Sequence, residues 1–263
     1  MRLSEWRVFC FLIFIFVPIV KAEKPAVTYG EGLCADFLNY QCYIVKTEKW
    51  ENLFPDAELR DLVQRINRQN TVLVPGQKIA IPRQITGRSY LDLAPFPQSV
   101  CYYDFDKEVC FLAKGDAVEY SEVKEKNDWL MPCIQGKTII FDPHHLAFAA
   151  YNQEGELVYW GPAVGGQKFC PDIKKPCQTP QGNFQVVYKT GANYHSKIYP
   201  VGCRGKECAP MPYAVFFENG AAFHAGLLPG RNASHGCVRL FLKDAQWLNE
   251  FAEIGTKVII RPY

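Results

Sequence analysis

The sequence has no block of like charge. Its 29 Lys and Arg against 27 Asp and Glu leave a formal net charge of +2, without a basic tail or an acidic run. That argues against nucleic acid or a polyanion as the partner. No Cys-x-x-Cys occurs, and the five histidines never stand with cysteines at zinc-finger spacing. A structural metal site is therefore not expected, and nothing in the chain calls for a cofactor. No C-terminal sorting signal or anchor is visible, and no apolar run reaches the ~18 residues that usually span a bilayer.

The longest apolar run is "VFCFLIFIFVPIV", residues 8–20, preceded by Arg2 and Arg7 and followed by "VKA" at 20–22. A basic start, a short apolar stretch and a small-residue site predict a secretory signal over 1–22. An uncleaved N-terminal anchor is the alternative. Cys10 lies inside the run, a poor position for lipidation. Cleavage removes Arg2, Arg7, Lys21 and Glu5, bringing the net charge to zero, so long-range electrostatic steering is not expected. Export also changes how cysteine reads. Of 11 cysteines, all but Cys10 lie in the mature chain, and an oxidising compartment favours disulfides. Neighbour pairing would join Cys34 to Cys42, Cys101 to Cys110, Cys170 to Cys177 and Cys203 to Cys208, leaving Cys133 and Cys237. A crossed pattern between the first two sets remains open.

With 48% hydrophobic and 21% charged residues, the rest reads as an ordinary globular protein with a main domain and a smaller unit. After a segment at 23–42, residues 43–82 look self-contained. "YIV" opens as a strand, and "AELRDLVQRIN" places Leu59, Leu62, Val63 and Ile66 on one helical face. "PGQ" turns the chain, and "KIAIP" closes as a strand. The "VPGQKIAIP" end resembles LysM, a small β-α-α-β module that recognises N-acetylglucosamine polymers. "TEKWEN" stands where that family usually has a glycine-aspartate turn, so the module is degenerate. A packing unit that binds no glycan is the alternative. Residues 83–136 hold a proline-punctuated linker and a hairpin ending in Cys101 and Cys110. From 137 to 263, short strands such as "KTIIFD", "HLAFAAYN" and "ELVYWGPAVGG" predict a mainly β, sandwich- or barrel-like domain. It has one late helix, with Ala245, Leu248 and Phe251 on one face, stopping at Gly255.

"NASHGCVRL", residues 232–240, poses the chemical question. A cysteine attacks as its thiolate, so it needs a base and backbone N–H groups for the developing oxyanion. A glycine just before it permits a tight turn. His224, thirteen residues earlier in "AAFHAG", and His235 are the candidate bases. "TPQGNF" (179–184), "MPYAVFF" (211–217), "FHAG" (223–226) and "SHGCVRL" (234–240) resemble, in order and spacing, the YkuD-type L,D-transpeptidase catalytic domain over roughly 137–263.

The resemblance implies that Cys237 attacks the bond between meso-diaminopimelate and the terminal D-alanine of a peptidoglycan tetrapeptide. A thioester and then a 3–3 cross-link would follow. It makes His224 the base, oriented through the Ala225 carbonyl, and Gly236 and Cys237 the oxyanion hole. Arg239 would shape the loop or meet a substrate carboxylate, with a plain surface residue as the alternative. His235 and Ser234 would hold the loop. Tyr213 is a candidate pocket wall or a packed aromatic. His144, His145 and His195 read as turn and loop residues, and a Cys203–Cys208 bridge would pin an insertion near the site. The resemblance also implies acylation by carbapenems, a peptidoglycan partner and a periplasmic location. Other outcomes stay open: hydrolysis, lipoprotein anchoring, a non-catalytic wall-binding protein, and a Cys133–Cys237 disulfide.

Overall fold

The computed structural model describes residues 27–84, 90–100, 134, 136–218 and 220–263, and the backbone of 102–104, 109–111 and 117–118. The apolar run at 8–20, the Cys101–Cys110 pairing and Cys133 lie outside the described residues. No helix among the described residues is long and apolar enough to cross a membrane.

The N-terminal unit begins with α1 (Tyr29–Leu33) and β1 (Tyr40–Ile44), joined by a Cys34–Cys42 disulfide. α2 (Trp50–Leu53), α3 (Ala57–Ile66) and β2 (Lys78–Pro82) follow. β1 starts at Tyr40, ahead of the expected Tyr43, because its register against β2 runs on to Tyr40↔Pro82. Asp56 caps α3 by accepting the Leu59 N–H at 2.7 Å. The helix buries Val63 against Val45, Trp50, Phe54, Leu73 and Ile79. Full burial of each such side chain is worth about 1.5–3 kcal/mol, enough to hold helices this short.

Beyond a 3₁₀ turn at Tyr90–Leu93, β3 (Tyr102–Asp104), β4 (Val109–Phe111) and β5 (Ala117–Val118) form a small antiparallel sheet. The main domain then supplies nine strands. These are β6 (Thr138–Asp142), β7 (Ala147–Tyr151), β8 (Leu157–Val164), β9 (Gly182–Gln185), β10 (Tyr188–Lys189), β11 (Val215–Glu218), β12 (Ala221–Ala225), β13 (Val238–Leu240) and β14 (Lys257–Ile260).

Their order is β10-β11-β12-β13-β8-β7-β6-β14-β9. β9 and β10 are consecutive in the chain yet occupy opposite edges, so the sheet curls until the Phe184 ring sits 5.5 Å from Phe217. β6 and β7 are buried at every position because both faces are covered. Ile139, Phe141 and Phe148 enter one core, while Ile140, Ala149 and Tyr151 enter another with Phe96, Val100 and Trp160. α4 (Leu242–Phe251) packs Ala245 and Leu248 on the first core. It ends before Gly255, which instead turns the chain into β14 at φ +90°. Thr256 Oγ1 accepts the Glu253 N–H there, serving a backbone group past the helix end.

Candidate active site

Side-chain alternation places the chemistry. β12 and β13 run parallel with His224 opposite Arg239. Residues two apart on a strand share a face, so Ala222, His224, Cys237 and Arg239 project from the same side of the sheet. Phe223, Val238 and Leu240 project from the other side into the main core. Cys237, just ahead of β13, packs against Met211, Ala214 and Ala222. It is the only free cysteine among the described residues.

His224 is buried, and its Nδ1 lies 2.8 Å from the Ala225 carbonyl. A carbonyl only accepts, so Nδ1 carries the proton and Nε2 is left bare. Burial holds this imidazole down, at about 4; the Ala225 bond opposes the shift and the Arg239 charge adds to it. Burial pushes the Cys237 thiol up, against the opposite pull of the Ala222 backbone and of Arg239. Both groups are therefore neutral at rest, and the thiol points to the Gly220 carbonyl at 3.7 Å. Both line a cavity of about 530 Å³ with Tyr199, Met211, Gly226 and Arg239. A larger cavity of about 780 Å³, against Trp160 and Arg68, holds no cysteine or histidine.

The Cys237 loop is held from several sides. Gly236 has φ +117°, a conformation that favours glycine. Ser234 Oγ donates to the Cys237 carbonyl and accepts the Gly236 N–H at 3.1 Å. That bond engages one of the two expected oxyanion donors and leaves the Cys237 N–H as the candidate. The Ala233 and Ser234 N–H groups both reach the Gly165 carbonyl at 3.0 Å, and Asn232 bridges Gly165 to Pro143. His235 Nε2 stands 2.9 Å from both Asp172 oxygens, beneath the Tyr199 ring at 4.2 Å, while its Nδ1 is buried without a partner among the described residues. The hydrogen bond with His235 holds Asp172 below the usual carboxylate range. Arg239 lines the cavity with no carboxylate paired to it among the described residues.

Two disulfides frame this site. Cys170–Cys177 closes the loop that carries Asp172, and Cys203–Cys208 closes one in the insertion carrying Tyr199. Cys170 Sγ, Asp172 and His235 lie within 4.8 Å of one another, but that sulfur is already bonded and is no thiolate ligand.

Tyr213 does not line the cavity. Its φ of +57° accompanies a ring packed on the main core, and Met211 and Pro212 form the wall instead. His195 Nδ1 meets the Cys208 carbonyl at 2.8 Å within the insertion. His144 is exposed, and His145 pairs with Asp142 at 3.0 Å. Asp172, Tyr199 and Asn232 went unmarked in the sequence. Only the cysteines bracketing Asp172 hinted that its loop was special.

The main domain is a curled, mainly β sheet with Cys237 and His224 on one face, lining one cavity. The family model described as the YkuD L,D-transpeptidase catalytic domain matches residues 136–260. "Putative L,D-transpeptidase YciB" of Bacillus subtilis (strain 168) is 27% identical over 162 residues, covering 56% of this chain and 72% of that protein. Among solved structures, the L,D-transpeptidase (residues 123–326) of Xylanimonas cellulosilytica DSM 15894 is 26% identical. That match covers 48% of this chain and 60% of the other, at a TM-score of 0.41. L,D-transpeptidase 3 of Mycobacterium tuberculosis, solved with a faropenem-derived adduct, is 16% identical over 74% of this chain and 78% of its own, at 0.40.

Proposed function

We propose that this chain is a peptidoglycan L,D-transpeptidase acting through Cys237. The observation that carries the reading is the His224 tautomer: Nδ1 is committed to the Ala225 carbonyl, so Nε2 is a bare base in the cavity that holds a free thiol. Nε2 takes the thiol proton as Sγ bonds to the carbonyl carbon between diaminopimelate and the terminal D-alanine. The oxyanion meets the Cys237 N–H. The C–N bond then breaks, D-alanine leaves with the proton returned by His224, and a thioester remains. The side-chain amine of a second stem attacks it, gives its proton to His224, and expels Sγ to close a 3–3 cross-link.

Arg239 lines the cavity without a carboxylate partner among the described residues, which places it for a substrate carboxylate. His235 and Ser234 hold the loop. The same thioester chemistry makes carbapenems acylating inhibitors. The three disulfides among the described residues suit an oxidising, extracytoplasmic compartment. The β1-α2-α3-β2 unit is the candidate LysM-like module for holding glycan.

Muropeptide mass spectrometry tests this with purified tetrapeptides and the mature protein beside Cys237→Ala. A dimer formed with loss of one D-alanine, absent in the variant, is the expected product. Tripeptide without dimer would mean that water is the acceptor. A reaction that needs an added lipoprotein lysine would mean anchoring. No change with either protein would leave a wall-binding protein.

A further inference from the structure

The chain leaving His224 has two neighbours. On one side Ala225, Gly226 and Leu227 line the catalytic cavity. On the other, residues 68–70 of the N-terminal unit lie along it. The Asn70 Nδ2 donates to the Gly226 carbonyl at 3.2 Å, and its Oδ1 accepts the Leu228 N–H at 2.7 Å. Its own backbone N–H donates to the Leu228 carbonyl at 3.0 Å. One residue thus grips three successive peptide units. Gln69 bridges Pro229, and the Arg68 carbonyl accepts the Gly230 N–H at 3.1 Å.

We propose that Asn70 is a positioning residue for His224, through which the N-terminal unit braces the segment that lines the catalytic cavity. The inference rests on His224 being the base. The peptide unit between Ala225 and Gly226 carries the carbonyl that fixes the imidazole, and its N–H is held by the Leu240 carbonyl at 2.9 Å. The next unit is the one that Asn70 holds.

Between the two stands Gly226, where a Cβ would come within 3.1 Å of the Arg239 side chain. The Arg239 packing thus favours the residue with the greatest backbone freedom at the joint behind the base. With Asn70 removed, that joint is held from the β13 side alone. The grip itself is firm. Arg68, at φ +55°, adopts a left-handed backbone conformation that is unfavourable for a non-glycine residue. It is nonetheless buried between the Tyr29 and Trp160 rings, at 4.8 and 4.9 Å, with its Nε on the His145 carbonyl and its Nη1 on that of Arg65. The segment is anchored before it reaches Asn70.

The test is the rate of Cys237 alkylation by iodoacetamide against pH, which reads thiol activation without any peptidoglycan. It uses the mature protein and four variants: His224→Gln, Asn70→Ala, Asn70→Asp and Asp61→Asn. Asn70→Asp keeps the acceptor for the Leu228 N–H and loses the donor to Gly226. Asp61→Asn alters a contact within α3 to Arg65, the residue that meets Asp244 across the same interface.

Misplacing a reacting group by about 1 Å costs up to ~100-fold. A smaller shift here predicts about tenfold slower alkylation at neutral pH for Asn70→Ala, an intermediate rate for Asn70→Asp and no change for Asp61→Asn. Slowing by His224→Gln but not by either Asn70 variant would overturn this proposal alone. No slowing by His224→Gln would overturn the base reading and this proposal with it. Equal slowing by Asp61→Asn would reduce Asn70 to general support of the interface and also overturn it. Should Asn70→Ala fail to fold, Asn70→Asp decides.

Discussion

Arg65 and Asp244 lie 179 residues apart and meet as a buried two-point ion pair, with Nη1 and Nη2 at 2.9 and 2.8 Å from the carboxylate oxygens. Tyr159 donates to the same carboxylate at 2.7 Å, and Arg65 also reaches Asp61 and the Tyr90 hydroxyl. Burial works against the guanidinium's charge, but Asp244, with Tyr90 and Asp61, raises the Arg65 pKa on balance. The pair ties the N-terminal unit to α4. Breaking a buried pair from one side leaves a charge uncompensated, so Asp244→Ala should cost about 3–5 kcal/mol of stability. Urea unfolding checks this. A loss below ~1 kcal/mol would show that water or another group already satisfies Arg65.

Stability should also depend on the protonation of His224. The folded imidazole titrates at about 4 rather than 6.5 because it is buried. Between those values the unfolded chain binds a proton that the folded chain refuses. This contribution is fully present above pH 6.5 and is lost as pH falls toward 4, amounting to at most ~3 kcal/mol. In unfolding measurements at pH 7, 5.5 and 4.5, His224→Gln should decline less steeply than the wild type. Parallel declines would mean that His224 is not held neutral.

The Cys170–Cys177 disulfide closes a short loop, and loop entropy assigns it about 2–3 kcal/mol. Its functional consequence runs through Asp172 to His235. The double variant Cys170→Ala/Cys177→Ala should lose that stability. It should also slow acylation more than Asp172→Asn does, because it frees the whole loop. Urea unfolding measures the first and stopped-flow acylation by a carbapenem the second. Equal rates in all three proteins would remove this loop from the account.

Much of the main domain was legible because its signals are local. The runs at 138–142, 147–151 and 157–164 are strands with turns between them, and the Ser-His-Gly-Cys loop declares its own geometry through one glycine. The neighbour cysteines at 34/42, 170/177 and 203/208 are bonded, since such short separations leave few other geometries. The rest depends on register and long-range closure. "GNFQVVYK" reads as one strand, yet Val186 and Val187 turn a corner that sends β9 and β10 to opposite edges. No periodicity in "AELRDLVQRIN" shows that Arg65 awaits a carboxylate on α4. The pattern leaves Tyr213 open between pocket wall and packed aromatic; its ring packs on the main core while Met211 and Pro212 line the cavity. The engagement of the Gly236 N–H by Ser234 depends on a side-chain rotamer, which no residue pattern encodes.

The central claim is that Cys237 carries the acyl group. Intact-mass spectrometry of the mature protein, quenched shortly after mixing with a tetrapeptide donor, tests it most directly. The expected adduct equals the donor less D-alanine, is removed by hydroxylamine, lies on Cys237 and is absent from Cys237→Ala. An unmodified protein that still releases D-alanine, or Cys237 found in a disulfide, would contradict it.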